Sequence, residues 1–157
     1  MKNKLTQLYD RYLALLAALP APFLLLLRLY WGWQFFQTGK GKLMHLDRTA
    51  DFFVSLNIPF PKLNALMAGS TECFGGLLLL LGLGSRLITV PLAFTMVIAY
   101  LTADRDKVTG LFQNPDAFVS AAPFLFLLVS LIVLVFGPGK FSLDELIRRS
   151  QRTRPAE

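Results

Sequence analysis

Cysteine occurs once, at Cys73, and histidine once, at His45, in a chain of 157 residues. One thiol rules out an internal disulfide, a CxxC redox pair and a thiolate-rich metal cluster, and Cys73 lies inside an apolar run, as an ordinary buried thiol does. His45 has no second His or Cys nearby at ligand spacing, so it reads as a surface imidazole rather than a metal ligand. A haem buried among helices needs an axial His or Met. No apolar run contains a His, and Met67 and Met96 read as packing residues. Gly82-x-Gly84 lacks the strand–turn–helix setting of a nucleotide loop, and no Ser/His/Asp or Cys/His set can be assembled in one place. Charge is scarce too, at 17% of residues against 54% hydrophobic. That balance excludes a soluble enzyme of this size, a disordered chain and a disulfide scaffold.

What remains is apolar sequence in long blocks. Four transmembrane helices of roughly 20 residues need about 80 apolar residues, which this composition supplies. Residues 12–39 carry one charge, Arg28, and residues 63–85 carry one, Glu72; residues 87–103 and 117–139 carry none. The first block is overlong and is broken by Pro20-Ala21-Pro22. Residues 5–19 therefore read as a short amphipathic or interfacial helix, with Tyr9, Arg11 and Tyr12 at head-group level. The expected spans are residues 22–38, 64–83, 87–103 and 117–136 of a single domain covering residues 1–157. Prolines are tolerated in the first turn of the first span and, at Pro91, of the third. A cleaved secretory signal is the competing reading of the N-terminus; Asp10, Arg11 and the apolar run resuming after Pro22 favour an uncleaved anchor.

The short connection Gly82-Leu83-Gly84-Ser85-Arg86 makes the second and third spans antiparallel neighbours. Gly137-Pro138-Gly139 stops the fourth. The longest polar segment, residues 39–64, contains a candidate amphipathic helix over 47–56 with Phe52, Phe53 and Leu56 on one side. It is followed by an extended Ile58-Pro59-Phe60-Pro61, and together they read as a lid. The net charge of +6 comes from Lys and Arg at the edges of the apolar runs, where they set topology rather than bind nucleic acid. Lys2, Lys4, Arg11, Arg86, Lys140, Arg148, Arg149, Arg152 and Arg154 fall on one side. Lys40, Lys42, Arg48, Lys62, Arg105 and Lys107 fall on the other. Nine against six places both termini and the basic tail, residues 140–157, in the cytoplasm.

Two charges within spans cost roughly 5–7 kcal/mol together if unpaired. Arg28 and Glu72 have opposite signs on sequential antiparallel helices, and their expected depths match, so they read as a pair. Arg28, Gly32, Phe35 and Gly39 share one helical face, and Ala65, Gly69, Glu72 and Gly76 another, with small residues that let the backbones approach. Such a pair is either a fixed ion pair that holds two helices in register or a polar pocket. In the pocket Glu72 would handle protons and Arg28 would bind a carbonyl or anionic group, aided by Tyr30, Gln34, Ser70 and Thr71. Trp31 and Trp33 are candidates for a ring site or an interfacial belt.

Arg28, Gly39 and Lys42, Phe53, Ile58-Pro59-x-Pro61, Glu72, Gly75-Gly76, Gly82, Arg86, Pro91 and Met96 occur in order along the chain. With the Gly137-Pro138-Gly139-x-x-Ser142-Leu143-Asp144 ending, this order resembles the DoxX family of small bacterial four-helix membrane proteins over residues 24–144. The resemblance implies an all-α bundle in the bacterial cytoplasmic (inner) membrane and adds Lys42 and Arg86 to Arg28 and Glu72 as candidate positions. It also implies association with quinone-linked oxidation. Three functions follow as expectations. The first is the membrane subunit of a quinone-linked redox complex, with no intrinsic cofactor, a quinone at Arg28/Glu72 and an oxidoreductase partner subunit. The second is a non-catalytic scaffold or assembly factor. The third, less favoured, is a small-molecule permease, for which four spans leave little room unless a homodimer supplies it.

Overall fold

The computed structural model describes residues 3–152. Lys2 and Arg154, counted above for orientation, lie outside them. The described residues form helices and no strands, in the order α1 (Lys4–Ala18), α2 (Pro20–Met44), α3 (Leu46–Ser55), α4 (Pro61–Leu81), α5 (Ser85–Thr102), α6 (Arg105–Thr109), α7 (Pro115–Val119), α8 (Ala122–Phe136) and α9 (Leu143–Arg152). Helices α2, α4, α5 and α8 close into a four-helix bundle, with α2 on α4 and α5 on α8 as its two tightest seams. Amphipathic α3 packs on α4, and α6 and α7 bridge α5 to α8. The core consists of Phe35, Leu79, Leu92, Met96, Val129 and Val133, with Trp31 and Phe126 packed against it. Phe126 meets the rings of Trp31 and Phe35 edge-on at centroid distances of 5.0 and 4.6 Å. Met96 is thus a packing residue as expected, whereas Met67 is exposed.

Lys4–Met44, Pro61–Leu81 and Ser85–Thr102 are each long and apolar enough to cross a membrane. Large hydrophobic side chains face outward along all of them, among them Leu26, Phe74 and Leu101, as suits helices covered by lipid. The fold is therefore that of an all-α multi-pass membrane protein. Buried on α2 are Leu24, Arg28, Gly32, Phe35 and Gly39, and on α4 Ala65, Gly69, Glu72, Gly75, Gly76 and Leu79. These are the two faces expected from helical periodicity. Glycine is required at their contact. A Cβ on Gly32 would stand 2.8 Å from the Leu80 backbone nitrogen, and one on Gly39 would collide with the Cys73 backbone.

Three expectations need correction. Pro20-Ala21-Pro22 does not break the first block. Leu19 keeps right-handed helical angles, its N–H donates to the Leu16 carbonyl, and the Phe23 N–H donates to the Leu19 carbonyl. The prolines occupy the first turn of α2, whose N–H groups need no partner, and the right-handed angles at Leu19 keep the backbone helical across the junction with α1. The fourth span is divided. Pro123 has no N–H to offer the Val119 carbonyl, so α7 ends there and α8 restarts as an apolar helix of 15 residues behind an extended Ala121. Finally, the stretch before Pro61 is not extended throughout, because Asn57 and Phe60 take φ of 55° and 46°. Right-handed helical angles are disfavoured before a proline, and Phe60 escapes to the left-handed region, turning the chain sharply into α4.

Candidate functional site

The expected Arg28–Glu72 pair does not form. The contacts of Gly32 with Leu80 and of Gly39 with Cys73 fix the register of α2 on α4. In that register Glu72 lies at the level of Gly39, roughly 11 residues and 16 Å along α2 from Arg28. The two charges lie at similar distances from the starts of their own apolar runs, but the runs themselves are offset. Helix α2 begins beyond the α4–α5 turn, while the first part of α4 packs on α3 rather than on α2.

Glu72 instead pairs with Lys42, one turn beyond Gly39 on the same side of α2. The Lys42 ammonium donates to both carboxylate oxygens. Glu72 is 98% buried as a side chain and Lys42 31% exposed, so the pair has a closed side and an open side. The open side forms part of the wall of a cavity of about 370 Å³ between α3, α4 and α5. Phe53, Leu56 and Ile58 close it from the lid, Met67 and Thr71 line it from α4, and Pro91, Phe94 and Thr95 from α5. Its volume is within the range of small-molecule sites, and a few polar groups in a mostly apolar wall are how such sites orient a ligand. Chemically, the ion pair offers an ammonium donor and a carboxylate acceptor.

Arg28 belongs to the other end of the bundle. It is fully buried; one terminal nitrogen donates to the Leu79 carbonyl at 3.2 Å and the other to the Phe141 carbonyl at 2.6 Å. Helix α2 is thereby tied to the last turn of α4 and to the tail. Gly82, at φ 72°, leaves the room the guanidinium occupies. Asp144 completes the joint. Its carboxylate accepts from the N–H groups of Gly84 and Ser85 at 2.7 and 3.0 Å, capping α5 from the tail, and its charge acts on Arg28. The arrangement is a clamp that holds the α4–α5 turn against residues 139–144.

The remaining candidates are dispersed. Tyr30 and Trp33 are 59% and 49% exposed on the outer surface of α2, and Gln34 is half-buried there. Arg86 lies at the clamp end, where it donates to the Val135 carbonyl at 3.1 Å. Ser70 is half-buried on α4 and is not among the cavity-lining residues, whereas Thr71 is. Lys42 and Glu72 are thus the two ionisable candidates that meet at one cavity. Sequence reasoning missed the α5 wall, because Phe94 and Thr95 are indistinguishable there from lipid-facing residues. It also missed the cap made by Asp144, whose only signal was its place in the Ser142-Leu143-Asp144 ending.

Comparison with known proteins agrees with this architecture. The family model DoxX matches residues 23–105. A Bacillus subtilis protein named "Putative oxidoreductase CatD" is 29% identical over 128 residues, covering 82% of this chain and 89% of that protein. An uncharacterised membrane protein of Mycobacterium tuberculosis is 34% identical over 142 residues, covering 86% and 87%. An uncharacterised protein of Haemophilus influenzae is 26% identical over 137 residues, covering 83% and 87%. No solved structure matches. The chain belongs to the DoxX family.

Proposed function

We propose that this DoxX-family membrane protein is the membrane subunit of a quinone-linked redox complex and binds a quinone-type compound in the cavity beside Lys42 and Glu72. The observation that carries the reading is the ion pair set into a mostly apolar wall, where the side chains of Asn64, Thr95 and Thr102 already donate to backbone carbonyls. A ring bearing carbonyl oxygens fits such a wall. Phe53, Pro91 and Phe94 would pack the ring and its tail, the Lys42 ammonium would donate a hydrogen bond to one carbonyl oxygen, and the Glu72 carboxylate would pass on one of the two protons that reduction to the quinol takes up from water. A bound quinone would supply the two-electron chemistry, with both electrons coming from an oxidoreductase partner subunit. Arg28 acts through the clamp, as a residue that positions α2. The subunit resides in the bacterial cytoplasmic membrane with both termini on the cytoplasmic side.

The test is native mass spectrometry of the full chain extracted gently from its own membrane. A quinone-sized ligand at one per chain, lost in Glu72→Gln while the protein still accumulates, supports the reading. A ligand retained in both Glu72→Gln and Lys42→Gln overturns it.

A second reading, a non-catalytic scaffold, is favoured by α1. Leu5, Leu8, Tyr12, Leu15 and Leu19 recur at alternating steps of three and four, the seam spacing of paired helices, and all are exposed. No residue of α1 is buried. A partner protein or a second copy would pair along that seam, and deletion of α1 would then release the partner without changing the cavity.

A further inference from the structure

At the clamp end of the bundle a second cavity, of about 550 Å³, opens between the start of α5, the end of α8 and α9. Its wall is divided by polarity. Toward the bundle flank it presents Leu87 and Phe136, 81% and 70% exposed on surfaces of α5 and α8 that hydrocarbon must cover. Toward the polar end it presents the cations Arg86, Lys140 and Arg148. Two carboxylates also line it, but both already accept hydrogen bonds. Asp144 accepts from the Gly84 and Ser85 N–H groups, and Glu145 accepts from Arg148 and Arg149 at 2.6 and 2.9 Å. Lys140 is exposed and is presented by the turn Gly137-Pro138-Gly139, whose glycines take φ of 79° and 81°.

We infer that this cavity is a binding site for an anionic phospholipid, with the acyl chains along Leu87 and Phe136 and the phosphate between Arg86 and Lys140. The divided wall selects the ligand. A free phosphate has no use for the apolar half, and a zwitterionic lipid brings no net negative charge to Arg86 and Lys140, whereas Arg148 already pairs with Glu145. Basic pockets at the ends of transmembrane helices recognise acidic head groups in this manner. Helix α9 extends the same surface. Its exposed Leu146 and Ile147, with Phe141 just before it, suit the boundary between head groups and acyl chains, and Arg149 and Arg152 add charge at that level. Bound lipid would brace the turn that carries Phe141, and with it the carbonyl that Arg28 holds. The site stands apart from the Lys42–Glu72 cavity, and failure of either proposal leaves the other standing.

The experiment uses the full chain in neutral detergent, titrated with phosphatidylglycerol or phosphatidylcholine and read by native mass spectrometry. Wild type is expected to retain phosphatidylglycerol about tenfold better than phosphatidylcholine. Lys140→Gln should lower that retention about fivefold, and Arg86→Gln with Lys140→Gln about 25-fold. Lys140 is exposed, so its single variant keeps the test intact if loss of Arg86 loosens the end of α8. Arg152→Gln, farther along α9, should change retention less than about twofold. Equal retention of the two lipids, or an Arg152→Gln effect as large as that of Lys140→Gln, overturns the site. Displacement of bound lipid by millimolar inorganic phosphate overturns the lipid assignment in favour of a free-anion site.

Discussion

The two ends of the bundle bury charge in different ways. At one end Arg28 is surrounded by backbone: two carbonyls accept from it, and the tail that supplies one of them is capped onto α5 by Asp144. At the other end Glu72 meets a single flexible side chain, Lys42, whose far side faces a cavity. Backbone partners on two separate segments cannot move without opening the joint. A lysine with several rotatable bonds can leave its partner and take another acceptor. The first arrangement suits structure and the second suits exchange, so burial alone does not separate structural charges from functional ones. What lies on the far side of the partner does.

The largest effect is expected where this contrast is broken at the clamp. Arg28→Leu leaves the buried Leu79 and Phe141 carbonyls without their donor and Asp144 without its countercharge. It should cost about 3–5 kcal/mol, read as loss of accumulation and a lower unfolding temperature in detergent. Arg28→Lys rescues only part, since one ammonium cannot reproduce a fork that reaches two segments. Next in size is the seam that sets the two ends apart. Gly39→Ala drives a Cβ into the Cys73 backbone and should cost about 1–3 kcal/mol. Gly41→Ala, whose Cβ would meet nothing within 4 Å, should be neutral or slightly stabilising in the same melts.

Smaller changes in stability are expected at the exchange end. Glu72→Gln should cost less than Arg28→Leu, by about 2 kcal/mol, and should still abolish ligand retention. Reversing both partners, Lys42→Glu with Glu72→Lys, should recover accumulation that either single reversal loses. If the double reversal fails while Arg28→Leu is tolerated, the assignment of clamp and exchange ends is inverted.

The smallest effect concerns α9. Hydrogen bonds from Arg149 and then Arg148 hold the Glu145 carboxyl below its ordinary range. A lowered native value means that the contribution is present above the unfolded carboxylate range and is lost as pH falls through the native value. Amide exchange in α9, compared between about pH 7 and pH 3 after correction for intrinsic rates, should show protection falling on the acid side. Amides in the middle of α5, whose acceptors are backbone carbonyls of their own helix, serve as the internal reference.

Much of this was legible in the residues themselves. The buried faces of α2 and α4 follow from helical periodicity and from where small residues recur, and both are properties of a single helix. The antiparallel turn at Gly82–Arg86 and the stop at Gly137 are equally local. Errors arose where a local signal had two outcomes. Proline in a first turn is compatible with a new helix or with one that continues, and before Pro61 the chain had a left-handed route as well as an extended one. Candidate residues were recognised by type, because an ionisable group in an apolar run is costly wherever it sits. Lys42 was found through family resemblance, since a lysine near a helix end carries no such signal.

Residue pattern along the chain set most of the helices, the faces they bury and the residues that must find polar partners. Those depend on periodicity and on the cost of placing charge in hydrocarbon, which act along one segment at a time. Which partner each charge obtained was decided by tertiary structure alone. The offset of α2 on α4 is set by glycine contacts between them, with α3 occupying the start of α4 and the tail folding back onto Arg28. A shift of a few residues in that offset would leave every helix unchanged and would still alter which charges meet.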